Sequence, residues 1–179
     1  MTMKFKFKVQ KYQTEAVEDT VKAFEGQPYI GKQNYIRDLG KTMNATPKYE
    51  QGLLLVAEGK TPWLINDKHF TDDSIGFRNA PLVIEKGKLL DNIKKVQDYN
   101  NIKQSNALFD DLGACQLDIE METGTGKTYV YIKTMFELNK SYGWSKFVVV
   151  VPSIAIREGV KKSFDMTQEH FMEQYGKKA

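Results

Sequence analysis

The feature that most constrains the fold is a pair of glycines set between two different periodicities. Upstream, Cys115, Leu117, Ile119 and Met121 alternate with Gln116, Asp118 and Glu120, as in a half-covered strand. Downstream, Tyr131, Met135, Leu138 and Tyr142 recur at the spacing of one helix face. Between them lies Thr123-Gly124-Thr125-Gly126-Lys127-Thr128. Glycines at a strand-to-helix junction let successive backbone N–H groups turn inward around phosphate oxygens, and the helix N-terminus behind them favours an anion. Lys127 then bridges β- and γ-phosphates, and the Thr128 hydroxyl ligates Mg²⁺. Residues 123–128 are therefore the candidate nucleotide-binding loop, with Lys127 and Thr128 as the candidate catalytic pair. The strict pattern begins with glycine, where this chain has Met121.

Gly143 is placed to end the helix, and Phe147-Val148-Val149-Val150-Val151 follows as the continuous apolar run of a parallel strand covered on both faces. Pro152-Ser153 opens another helix. The series is a βαβ unit and predicts an α/β class with a parallel sheet. One detail departs from that pattern: Gln116, Asp118 and Glu120 share a face that a fully covered strand would make apolar.

Nearer the start, Phe5, Phe7 and Val9 alternate with lysines and read as a short edge strand. Ala16, Val17, Val21 and Phe24 then mark an amphipathic helix ending near Gly26 and Pro28. Residues 29–87 break into short pieces, with strands expected at 53–57, 63–65 and 82–84 and a hairpin turn at Glu58-Gly59-Lys60. Leu89, Leu90, Ile93 and Val96 lead out on a helix. The expected organisation is an N-terminal strand and helix over 1–28, a small β-rich insertion over 29–87, and the first part of a P-loop domain over 88–179.

At 179 residues the chain suits one domain with an insertion. Its 41% apolar and 27% charged residues exclude disorder of the whole. A net charge of +3 is compatible with a nucleic-acid partner without specifying one. No apolar run approaches the roughly 20 residues that span a bilayer, and the start lacks a signal-peptide core, so no membrane role and a cytoplasmic location are expected. Cys115 is the single cysteine, and it reads as a buried strand residue. His69 and His170 have no partners at zinc-ligand spacing.

Met121 through Thr128 resembles motif I of superfamily 2 helicases and translocases, many of which also lack the first glycine. Val17 to Gln27, Tyr129 to Lys140 and Val150 to Val160 look more narrowly like the Res subunit of type III restriction enzymes. That resemblance implies a partial RecA-like domain from an ATP-dependent DNA translocase and endonuclease that cleaves foreign DNA. It also implies ATP and Mg²⁺ as cofactors, with double-stranded DNA and a methyltransferase subunit as partners. Tyr12-Gln13 falls where such proteins carry a Q-motif. An amide can donate to adenine N7 while accepting from the N6 amino group, so Gln13 is either the adenine reader or a solvated residue near a helix start. Ser153 and Arg157 fall at motif Ia, as DNA-backbone contacts or as an N-cap and a solvated charge. The acidic pair, arginine and nuclease carboxylates of the family have no counterpart after Lys127. The chain is thus expected to act as an N-terminal part that binds nucleotide weakly and hydrolyses essentially none. Rival readings are the motor of a type I restriction complex, a related DNA repair helicase, and a non-catalytic ATP- or DNA-binding module.

Overall fold

The computed structural model describes residues 7–31, 33–36, 75–109, 113 and 115–177. The chain divides into two compact units, Met1–Gly31 with Asn79–Ala179, and Lys32–Arg78. In the second unit, β1 (Gln33–Ile36) pairs antiparallel with β2 (Ile75–Arg78). Gln33 stands opposite Arg78, so the two ends of this unit lie side by side. The strands expected at 53–57 and 63–65, and the turn between them, lie outside the described residues.

The first unit is helical among its described residues: α1 (Lys11–Lys22), α2 (Lys86–Tyr99), α3 (Lys127–Tyr142) and α4 (Ile154–Tyr175). α1 packs on both α2 and α3, and α4 packs on α3. The α3–α4 seam holds Ile132, Phe136 and Phe171, ringed by Tyr129, Tyr131, Phe164 and Tyr175. Burial of each large apolar side chain there stabilises by roughly 1.5–3 kcal/mol. The Phe136 and Tyr175 rings stack 4.9 Å apart, and the Tyr175 hydroxyl donates to Glu137 at 2.7 Å. On α1, Val17 is buried, and the Tyr142 hydroxyl of α3 donates to the Val21 carbonyl at 2.8 Å.

Buried carboxamides tie the helices to the segments between them. The last carbonyls of a helix lack intrahelical donors, and past the end of α1 the buried Asn92 of α2 donates to the carbonyls of Ala23 and Glu25, at 3.3 and 2.7 Å. Gln27 is 5% exposed; it donates to Pro81 O and accepts from the N–H groups of Val83 and Ile84. Residues 82–84 are consequently not the expected strand, because one side chain supplies the partners that a neighbouring strand would give. Asn79 does the same for Ser145 and Lys146. Gly143, at φ +80°, closes α3 where a Cβ would run into the Ile30 carbonyl.

Among the described residues the other expected strands form no ladder either. Residues 7–10 carry no regular structure, with 1–6 outside the described set, and Phe7 lies against the rings of Tyr129 and His170 instead. Residues 115–121 and 147–151 join no ladder, so no parallel sheet forms among the described residues. Alternation and apolar runs specify which faces gain from burial, whereas a ladder needs a second strand to supply the hydrogen bonds. Gln116, Asp118 and Glu120 face solvent, and Val148 and Val150 are 88% and 87% exposed.

Candidate nucleotide-binding site

Gly124 and Gly126 sit at φ +83° and +86°, the left-handed region where a side chain is costly. Gly126 is the N-cap of α3, with no side chain capping the helix. The first intrahelical bond runs from Val130 N–H to Gly126 O at 3.1 Å. The N–H groups of Lys127, Thr128 and Tyr129 therefore have no intrahelical acceptor. The loop is closed on itself at Thr125, whose N–H and hydroxyl both donate to Glu122 O, at 3.4 and 2.6 Å. Thr123 and Lys127 are exposed and Thr128 half-buried. Among the described residues the Lys127 ammonium has no ion-pair partner.

Gln13 is brought against this loop. Its Oε1 accepts from Gln10 N–H at 3.3 Å, fixing the start of α1, and its Nε2 donates to Thr125 O at 2.9 Å. A Cβ on Gly126 would lie 2.6 Å from that Nε2. The Tyr12 hydroxyl donates to the same Thr125 carbonyl at 3.1 Å. Tyr12 shares the Q-motif-like pair with Gln13, where spacing alone gives it no partner. The available signal was its adjacency to Gln13, but which carbonyl it meets depends on how α1 packs on α3.

Ser153 and Arg157 share the start of α4, apart from these contacts. Ser153 Oγ accepts from Ile156 N–H at 3.3 Å as an N-cap, and Arg157 pairs with Glu158 at 3.0 Å in solvent. Among the described residues no hydrogen bond links either to 123–128. Behind the loop, the Tyr129 hydroxyl is 3.0 Å from His170 Nε2, and the buried Lys133 reaches Thr14 Oγ1 at 3.4 Å. Burial, then the nearby Lys133 charge, lowers the His170 pKa against the opposing pull of Glu173. Burial also raises the Cys115 thiol, which does not favour the nucleophilic thiolate.

Left-handed glycines, a helix start without a cap, an unpaired lysine and a hydroxyl at its side fit a phosphate chain with its divalent cation. No helix among the described residues is long and apolar enough to cross a membrane.

Residues 6–178 match the family model described as "Type III restriction enzyme, res subunit". Similar proteins include the EcoPI Res subunit of Escherichia phage P1, 39% identical over 109 residues, and the EcoP15I Res subunit of Escherichia coli, 41% identical over 114. These alignments cover 58% and 60% of this chain but 11% of either relative. The StyLTI Res subunit of Salmonella typhimurium is 51% identical over 61 residues, 33% of this chain and 6% of that protein. The chain thus spans about a tenth of the length of the first two relatives. With nearly its whole length inside the family model, the chain belongs to the type III restriction enzyme Res subunit family.

Proposed function

We propose that residues 123–128 bind the phosphates of ATP with Mg²⁺, and that the chain is the ATP-binding front of a DNA-translocating endonuclease subunit. The observation that carries this reading is the open start of α3, where two left-handed glycines leave backbone N–H groups for an anion beside Lys127. Lys127 holds β- and γ-phosphates, Thr128 orients the cation, and Thr123 to Gly126 line the loop. The bound cation supplies charge neutralisation at the phosphates; the chain's own residues bind and orient. An amide has two N–H donors and two acceptor sites, so Gln13 keeps one of each for an adenine edge while it touches the loop.

The family to which the chain belongs is a helicase-like, α/β P-loop family, which supports nucleotide use and disfavours the type I motor, repair-helicase and non-catalytic readings. In the full-length enzyme, we take residues 115–121 and 147–151 to enter a parallel RecA-like sheet, with 88–179 its first part and 29–87 an insertion. Ser153 and Arg157 contact the DNA backbone there, and a methyltransferase subunit is the partner in the cytoplasm. ATP-driven cleavage of foreign duplex DNA is the activity of that whole assembly.

The test is a titration with Mg-ATP. The native chain binds and Lys127→Ala loses at least about tenfold in affinity, as removal of a charge-assisted phosphate contact predicts. Equal affinity of the two proteins would falsify the assignment.

A further inference from the structure

We infer that Tyr12 is a positioning residue of the phosphate-binding loop: with Gln13 it clamps the Thr125 carbonyl and so aims the Gly126 N–H at the bound phosphate. The inference rests on the nucleotide-binding reading above and adds a residue to it. Both acceptor positions of the Thr125 carbonyl are taken, by Gln13 Nε2 at 2.9 Å and Tyr12 Oη at 3.1 Å. Both donors come from neighbouring residues at the start of α1, so they approach the loop from one side.

The described peptide bonds are all trans. In a trans peptide the carbonyl and the following N–H point in opposite directions across a rigid plane. Fixing the Thr125 carbonyl toward α1 therefore turns the Gly126 N–H away from α1. At φ +86° the glycine has no side chain to hold that peptide, and it is the residue most able to rotate. Without the clamp, peptide rotation at 125–126 would remove one anion donor. The Thr125 N–H is already spent on Glu122 O, so the loop has few donors to lose. The clamp is blind to the base, because it acts on the loop backbone alone.

The experiment compares Mg-ATP with Mg-tripolyphosphate, which has the phosphate chain and no base, on the native chain, Tyr12→Phe and Lys127→Ala. Tyr12→Phe keeps the ring and removes only the hydroxyl. We expect it to weaken both ligands by the same factor, about three- to tenfold, the size of one net hydrogen bond. Its thermal midpoint without ligand should fall by no more than about 2–4 °C, as loss of roughly 1 kcal/mol gives at this length. Gln13→Glu, which keeps the shape but puts an acceptor against the carbonyl, should also weaken tripolyphosphate. Native-like affinity of Tyr12→Phe for both ligands would overturn the clamp. So would a loss confined to ATP, which would place the hydroxyl on the base. If native and Lys127→Ala chains bind tripolyphosphate equally, nucleotide binding itself is wrong and the clamp goes with it, an outcome distinct from failure of Tyr12 alone.

Discussion

Gly126 answers to two separate demands. Its backbone lies at φ +86°, and its missing Cβ leaves room for Gln13 Nε2, 2.6 Å from where that carbon would stand. Gly126→Ala should cost about 2 kcal/mol, from the left-handed conformation plus displacement of the amide, as measured by urea denaturation. Adding Gln13→Ala should recover only the steric part, on the order of 0.5–1 kcal/mol in a double-mutant cycle. Strict additivity of the two changes would show that the amide and the glycine do not compete for space. The backbone demand was legible in the sequence, since a Gly-x-Gly-Lys-Thr string before a helix requires turned N–H groups. The second demand was not, because it belongs to a contact between residues 113 positions apart.

Among the elements, the segments between helices depend on single buried amides. Gln27→Leu leaves the N–H groups of Val83 and Ile84 and the Pro81 carbonyl without their partner. A loss of about 2–4 kcal/mol is expected from equilibrium unfolding, with α2 detaching first in hydrogen exchange. The α3–α4 seam should respond to acid through His170. Its folded pKa is lowered, chiefly by burial and then by Lys133, against Glu173. The folded state therefore disfavours the protonated ring. The associated stability is present above the unfolded value near 6.5 and is lost as pH falls through the folded one. His170→Gln should flatten the melting temperature in that acid window, while an unchanged slope would assign the pH dependence elsewhere. Three of the four helices follow from periodicity and the fourth from its Pro152-Ser153 start, yet the strand expected at 82–84 does not form. An apolar triplet specifies burial, and a glutamine from another element took the hydrogen bonds.

For the whole molecule, the separation into two units predicts that residues 32–78 are dispensable for nucleotide binding. Because Gln33 and Arg78 pair directly, the flanking ends lie close, and a short Gly-Ser linker can replace the segment at small loop-closure cost. The shortened chain should keep its helical circular dichroism and its Mg-ATP affinity; loss of both would mean that the first unit does not fold alone. At this scale the sequence by itself determined the local features. The loop chemistry of residues 123–128, the helix faces and their glycine ends follow from side-chain spacing and backbone freedom, which are properties of neighbouring residues. Only the tertiary structure decided which groups meet: Tyr12 and Gln13 on Thr125, Gln27 on 81–84, and the helix-rich packing that leaves 115–121 and 147–151 outside any ladder. A hydrogen bond across more than a hundred residues is settled by how helices pack, and that packing is the joint outcome of many apolar contacts rather than of any local spacing.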